Sequence, residues 1–327
     1  MTVMNQNPSE KQLANLWRWD RGQIEAHQLS RLNDILVAAR AHPFYKERLG
    51  EAQLPLRSLD ELSRIPLLTK SELVGDGPGV PGKIFAQPRE QYTRFHQTSG
   101  TSGHPMPVLD TASDWTWWLD CWQHVLHAAD VGRDDVAMMA FSFGPFIGFW
   151  TATDALVRAG ALVIPGGGMS SETRLQMILD HRCTIVCCTP TYALHLLAVA
   201  QKQSIDLAAS TVTRLIVAGE PGGSASVIRN RIEQGWGATL VDHSGASEIG
   251  AWGFGSADGK GLHVIETEFV AECLCFDDES PEGRRAEDGE ESELVLTGLG
   301  RFGGPAIRYR TGDIVRAIRR HDHPCRF

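Results

Sequence analysis

RLIVAGEPGGSASVIRNRIEQGWGATLVDHSGASE, residues 214–248, carries the pattern that decides the fold. Arg214 to Ala218 is a short apolar run that ends in a Gly-Glu-Pro-Gly turn. Ser224 to Gln234 reads as an amphipathic helix, and Thr239 to Asp242 as a second apolar strand. The same alternation extends toward the N-terminus. Val136 to Phe141, Ala161 to Ile164 and Thr184 to Cys188 read as strands. Gly148 to Arg158, Ser171 to His181 and Thr191 to Gln201 read as helices, the last with Pro190 in its first turn. Short apolar strands between amphipathic helices imply a parallel sheet covered on both faces. Cys187 and Cys188 fall in such a strand and are expected in the core.

Beyond Gly250 the helical period is lost. Leu262 to Phe276, Glu293 to Thr297, Ala306 to Arg310 and Ile314 to Ile318 read as strands, with the acidic stretch Asp277 to Glu291 as a solvated hairpin loop. Before the sheet, Ser9 and Gln12 have capping-box spacing, and Leu29, Leu32, Ile35, Leu36 and Ala39 recur at helical spacing. Thr69 and Glu72 form a second capping box that opens a helix at Lys70. Gly75 to Gly82 reads as an exposed loop, and Ser113 as the cap of a helix bearing Trp115, Trp118 and Trp122. The fold class is therefore α/β, parallel sheets covered by helices with an antiparallel β subdomain toward the C-terminus. Residues 1–91 form a helical lead-in, 92–250 the α/β core and 251–327 the antiparallel part of one large domain.

The chain has 327 residues, 42% of them apolar and 22% charged, as in ordinary globular proteins. A net charge of −9 argues against nucleic acid as the main partner, because phosphate binding needs a basic face. The most apolar run, Val136 to Trp150, is broken by Gly and Pro and is too short to span a bilayer, so no membrane partner is expected. MTVMNQNPSEKQ at the N-terminus lacks the basic and apolar regions of a secretory signal, and seven cysteines in a chain this long do not suggest a disulfide framework. Both point to a cytoplasmic protein.

Four segments carry chemistry. Thr98-Ser99-Gly100-Thr101-Ser102-Gly103-His104-Pro105 combines glycines, which expose backbone N–H groups, with hydroxyl donors, so it reads either as a phosphate-wrapping nest or as a polar surface loop. It is not a Walker loop, since no Gly-Lys-Ser/Thr follows. Gly219-Glu220-Pro221 and Asp242-His243-Ser244-Gly245-Ala246-Ser247-Glu248 each follow a strand, the place where ligands bind in parallel sheets, although Gly219 to Pro221 read equally as an ordinary strand-to-helix turn. Glu248 beside hydroxyls suits Mg²⁺, or is simply a solvated acid. In Arg308-Tyr309-Arg310-Thr311-Gly312-Asp313, the acid after a tight turn can accept hydrogen bonds from a ribose diol, or belongs to a charged β-turn.

Taken in order, TSGTSGHP, GEP, SGASE, GLHVIE (261–266) and RYRTGD, with PLLTKSEL (66–73) before them, resemble the adenylate-forming superfamily, most closely its phenylacetate–CoA ligase and aryl-CoA ligase branch. The resemblance runs from about Phe44 to the end. It implies ATP-dependent activation of a carboxylic acid, of aryl class, to an acyl-adenylate, with transfer to coenzyme A in the complete enzyme. It implies that residues 98–103 hold the β- and γ-phosphates and that Glu220 and Pro221 border the adenine. Ser247 would contact the α-phosphate, Glu248 would hold Mg²⁺ and Asp313 would bind the ribose. Gly219, His243, Ser244 and Gly245 would complete the nucleotide site. The acyl pocket would be lined by Phe141, Phe143, Phe146, Trp150 and Ala246, with Phe141 and Phe149 read rather as core.

The chain also departs from the family pattern. His104 stands where a lysine is usual, which removes a fixed positive charge, and Ser244 stands where an aromatic usually covers the adenine, leaving His243 or another group to do so. HDHPCRF (321–327) falls about where the family's hinge begins, so the small mobile C-terminal domain and its lysine are expected to be missing and adenylation to be slow. His263, His323 and Cys325 are candidate zinc ligands, set against the reading of a hydrogen-bonded histidine and a free thiol. Expected partners are a small carboxylic acid, ATP and the thiol of CoA or of a carrier protein, with a homodimer allowed. The contrasting readings are a nucleotide-binding scaffold without catalysis, and an adenylating enzyme that passes the acyl group to a carrier protein or an amine.

Overall fold

The computed structural model describes residues 10–50, 52–98, 100 and 104–318, apart from the side chain of Phe149. In chain order its elements begin with helices α1 (Glu10–Leu16), α2 (Arg21–Arg40), α3 (Pro43–Leu49) and α4 (Lys70–Leu73), then strands β1 (Tyr92–Gln97) and β2 (Pro107–Thr111). There follow α5 (Ala112–Ala128), β3 (Val136–Met139), α6 (Ile147–Ala159), β4 (Leu162–Pro165), α7 (Ser171–Asp180), β5 (Ile185–Cys188), α8 (Pro190–Lys202), β6 (Arg214–Val217) and α9 (Ser226–Trp236). The last part is all strand: β7 (Thr239–Ala246), β8 (Gly250–Gly255), β9 (Leu262–Val264), β10 (Phe269–Cys275), β11 (Arg284–Arg285), β12 (Glu291–Gly298) and β13 (Tyr309–Arg316). The chain forms two compact units. Trp118–Ala246 and Ala251–His263 belong to the first, and Ala14–Trp117, Ser247–Gly250 and residues 264–318 to the second.

The first unit is built on a sheet of order β4-β3-β5-β6-β7-β8-β9, parallel from β4 through β7. Its central strands are buried on both faces. Ile185, Val186, Cys187 and Cys188 are all inaccessible, and burial pushes the Cys187 thiol up to about 12. The helices between them end where the backbone permits. Gly160 closes α6 at φ 93° and Gly237 closes α9 at φ 62°, left-handed conformations that a side chain would strain. Thr189 caps α8 by accepting from Tyr192 N, with Pro190 in the first turn.

The sequence reading stopped the sheet at Asp242 and assigned everything past Gly250 to an antiparallel subdomain. Instead β7 runs on to Ala246, and β8 and β9 extend the same sheet. The polar residues that suggested a loop are satisfied in place: Asp242 accepts from Ser224 Oγ at 2.7 Å, and His243 Nδ1 lies 2.8 Å from Gly253 O.

The second unit holds helices α2 to α4, the β1–β2 hairpin and an antiparallel sheet of order β11-β10-β12-β13. Ser9 lies outside the described residues. Helix α2 has its own capping box, Asp20 with Gln23, which the sequence reading missed, whereas the Thr69–Glu72 box stands as read. Helix α5 is capped by Thr111 rather than Ser113, since Asp114 N donates to Thr111 Oγ1 and Thr111 N to Asp114 Oδ2. The two strands read at 306–310 and 314–318 are one strand, β13. Arg308, at φ 51°, delays its start, and its guanidinium makes a bidentate pair with Glu272 at 2.9 Å. Thr311, Gly312 and Asp313 bulge out between the pairs Val295–Arg310 and Glu293–Ile314, so the expected turn is an insertion within a strand. Leu68 N donates to Arg308 O and Arg310 N to Leu68 O, both at 2.8 Å, which fastens the segment before α4 to the edge of β13.

Leu215, inaccessible at the centre of the sheet, measures what this packing is worth. Leu215→Ala should lower unfolding stability by about 2–5 kcal/mol in urea titration, whereas Val227→Ala, at an 81% exposed site, should stay within about 0.5 kcal/mol.

Candidate active site

In the second unit the Gly/Ser/Thr segment is the connection of the β1–β2 hairpin. Its neck is closed by two reciprocal bonds: Thr98 N donates to Met106 O, and Met106 N to Thr98 Oγ1, each at 3.0 Å. Thr98 is buried. Gly100 sits at φ 74°, and a Cβ there would meet Pro105 at 2.9 Å, so glycine is needed on both counts. His104 is exposed. Ser99, Thr101, Ser102 and Gly103 lie outside the described residues.

The same unit contains Ser247 and Glu248. Glu248 is buried, and both its polar neighbours approach one oxygen. The Tyr309 hydroxyl donates to Oε1 at 2.8 Å, and Lys70 Nζ lies 3.3 Å from it. Tyr309 is held well above the ordinary tyrosine range, by burial first and by the Glu248 charge second, so it stays a donor. Lys70 reaches this point because Leu68 is fastened to β13 and Thr69 then caps α4. Behind the turn, Arg301 Nη1 donates to Ser247 O at 2.8 Å and to Glu248 O at 3.2 Å. Asp313 lies in the β13 bulge, where its N–H bonds Thr311 Oγ1 at 3.0 Å. Its carboxyl is raised, by desolvation first, with further contributions from the Glu248 and Glu293 charges. The fold thus brings Lys70, Glu248 and Tyr309 into contact and sets Glu248 near enough to Asp313 for its charge to help raise that carboxyl. Sequence reasoning missed Lys70, Tyr309 and Arg301 as site residues, although the first two lie inside segments it had singled out.

In the first unit, Gly219 to Pro221 follow β6 at its carboxyl end. Thr191 N donates to Glu220 Oε1 at 2.6 Å, so Glu220 serves the first turn of α8. Burial would raise its carboxyl, yet hydrogen bonds from Thr191 and Thr189 hold it below the usual range. Gly223 lies against the Asp242 carboxyl, which a Cβ would meet at 2.3 Å. The His243 ring is buried against Trp122, with centroids 4.4 Å apart, and burial lowers it to about 4. Ser244 and Ala246 are half-buried and Gly245 is exposed.

Phe141 is buried, and Arg174 Nη2 donates to its carbonyl at 3.1 Å. Phe143 meets Trp150 edge-on at 5.0 Å and covers Gly167, whose Cβ would lie 2.5 Å from the ring. Phe146 is exposed. His263 stacks on Phe254 at 5.3 Å, and no group of three His, Cys, Asp or Glu side chains able to hold a metal occurs among the described residues. His323 and Cys325 lie outside them. No helix among the described residues is long and apolar enough to cross a membrane.

A family model described as AMP-binding enzyme matches residues 84–304. The chain is 31% identical to a phenylacetate-coenzyme A ligase of Pseudomonas putida, over 90% of this chain and 67% of that protein. It is 32% identical to the enzyme of the same name from Escherichia coli, over 90% of this chain and 68% of that one. It therefore spans about two thirds of these relatives. Among solved structures, an open conformation of 2-hydroxyisobutyryl-CoA ligase in complex with 2-HIB-AMP and CoA superposes with a TM-score of 0.85 at 24% identity. That match covers 94% of this chain and 73% of the other.

Burial of neutral histidines makes the fold acid-sensitive. His243 titrates at about 4 when folded against 6.5 unfolded, so the unfolded chain binds the extra proton first as pH falls. Its contribution is complete above pH 6.5 and is lost between 6.5 and 4, amounting to about 3 kcal/mol. Urea midpoints across that window should fall steeply for the native chain and less steeply for His243→Gln.

Proposed function

The chain belongs to the AMP-binding enzyme family, among the relatives of phenylacetate–coenzyme A ligase, and from that premise we propose that it activates an aryl carboxylic acid with ATP and transfers the acyl group to the thiol of coenzyme A. A carboxylate oxygen attacks the α-phosphorus and pyrophosphate leaves from the opposite side, giving an acyl-adenylate. The thiol sulfur then attacks the acyl carbon, gives up its proton and expels AMP. Proximity and charge stabilisation supply the rate, with no covalent enzyme intermediate. The observation that carries this reading is Glu248. It is buried at the end of SGASE, directly after Ser247, with its position set by Tyr309, Lys70 and its own anchored carbonyl.

In this reading the hairpin connection from Thr98 to Gly103 takes the β- and γ-phosphates on its N–H and hydroxyl groups, and Ser247 the α-phosphate. The Asp313 carboxylate accepts from the ribose diol. Burial first, and the nearby Glu248 and Glu293 charges after it, raise this carboxyl, and hydroxyl donors would satisfy a carboxylate that has lost water. Gly219 to Pro221 and Ser244 to Gly245 border the adenine, and the Phe143–Trp150 pair together with Phe146 and Ala246 walls the acyl group. The His243 ring is buried against Trp122 and would face the adenine only by turning out of that contact.

Magnesium fits the donor set at Glu248. The ion takes oxygen ligands, commonly one or two carboxylates with substrate phosphates. Tyr309 and Lys70 meet the carboxylate at Oε1, and Oε2 would be the oxygen offered to the ion. When bound it would supply neutralisation of phosphate charge. A zinc site lacks support among the described residues, where His263 packs on Phe254. A carrier-protein thiol is the alternative acceptor.

Pyrophosphate–ATP exchange with a panel of aryl and aliphatic acids tests the reading. Exchange should require an aryl acid and fall by roughly 100-fold or more in Glu248→Gln. Thioester formed with CoA, and not with an acyl carrier protein, would identify the acceptor. No exchange with any acid would sink the proposal.

A further inference from the structure

Arg301 has 1% of its surface exposed, and the groups around it come from three separate parts of the second unit. Its Nη2 lies 2.7 Å from Asp110 Oδ1 on β2, and Asp110 is itself inaccessible. Its Nη1 donates to the carbonyls of Ser247 and Glu248. Its guanidinium lies over the Phe85 ring, 5.1 Å from the centroid. The segment that follows is tied to the hairpin again: the Tyr92 hydroxyl donates to Gly303 O at 2.7 Å, and Gly303 N to Asp114 Oδ1 at 3.1 Å. One side chain thus joins the strand that leaves the Thr98–Met106 neck to the backbone of the turn that presents Glu248.

We propose that Arg301 is a positioning residue for adenylation, setting the Glu248 carboxylate in register with the β1–β2 hairpin. A fully buried guanidinium is costly unless its acceptors are fixed, and a fold needing only packing here would do as well with an apolar side chain. What an apolar residue cannot do is hold two successive carbonyls and a carboxylate in one rigid fork. Lysine, a point charge with rotatable donors, cannot hold that geometry either. The proposal rests on the adenylation reading, and its test separates the two.

The experiment compares Arg301→Lys, Glu248→Gln and the double variant in pyrophosphate exchange, with the melting temperature of each. Arg301→Lys should lower kcat about 10- to 100-fold and leave the KM of the acid within about twofold, as expected of a misplaced catalytic group. In the Glu248→Gln background the same change should cost little more, because the group being positioned is already lost. Losses that simply multiply, an unchanged kcat, or a rise confined to the acid KM would overturn the proposal. If Arg301→Lys does not fold, Asp110→Asn/Arg301→Gln removes both charges and takes its place in the same cycle. Failure of both to fold would make Arg301 a stability residue and end the proposal.

Absence of exchange in the native chain would instead defeat the adenylation reading. Hydrogen exchange at amides 247–250 then decides the point. Faster exchange confined to those amides at an unchanged melting temperature supports the anchor, and unchanged protection refutes it.

Discussion

A guanidinium taken out of water must find its acceptors in the fold, and much of the second unit is arranged around that demand. Arg301 meets Asp110, two backbone carbonyls and an aromatic face. None of these partners could shift alone without leaving a buried charge or carbonyl unmatched. Strand β2, the turn at 247–248 and the segment 301–303 therefore hold together as one body. Trp117 reinforces the same turn from another side. Its indole N–H donates to Glu268 at 2.7 Å, and its ring fills space left by glycines at 250, 298 and 300. A Cβ at Gly300 would come within 2.2 Å of that ring, so the small residue is a condition of the large one.

The first unit solves a different problem. Its central strands β5 and β6 are apolar and buried along almost their whole length. Polar groups in the carboxyl-end loops are tied to neighbouring loops: Glu220 to the first turn of α8, Asp242 to Ser224. Arg174 pins the carbonyls that follow β3 and β4, those of Phe141 and Gly166, from within the buried layer. The carboxyl-end loops are thus braced by one another and by a buried arginine.

Much of this was legible in the sequence because periodicity is a local property. The strands from Val136 to Asp242 and the helices between them follow from apolar spacing, and the motif order identified the family. Three kinds of feature escaped. Strand β7 was cut short because His243 and Ser244 are polar, and the groups that satisfy the buried part, Ser224 and Gly253 O, are known only once the sheet forms. The start of β13 was misplaced because Arg308 adopts a left-handed backbone held by Glu272, 36 residues away. The surroundings of Glu248 were invisible because Tyr309 lies 61 residues from it and Lys70 farther still, spacings that carry no pattern of their own.

The closed neck of the β1–β2 hairpin has a further consequence. Because Thr98 and Met106 secure each other through two bonds, the register of the strands on either side is set at the neck and not by an exposed position such as 104. Position 104, unlike Gly100, is thereby insulated from the cost of its own variation. A change of side chain at 104 can alter the charge of this connection without loosening the hairpin. Chemistry in this segment can drift while the scaffold stands still, and the departure at His104 is the kind of divergence such insulation permits.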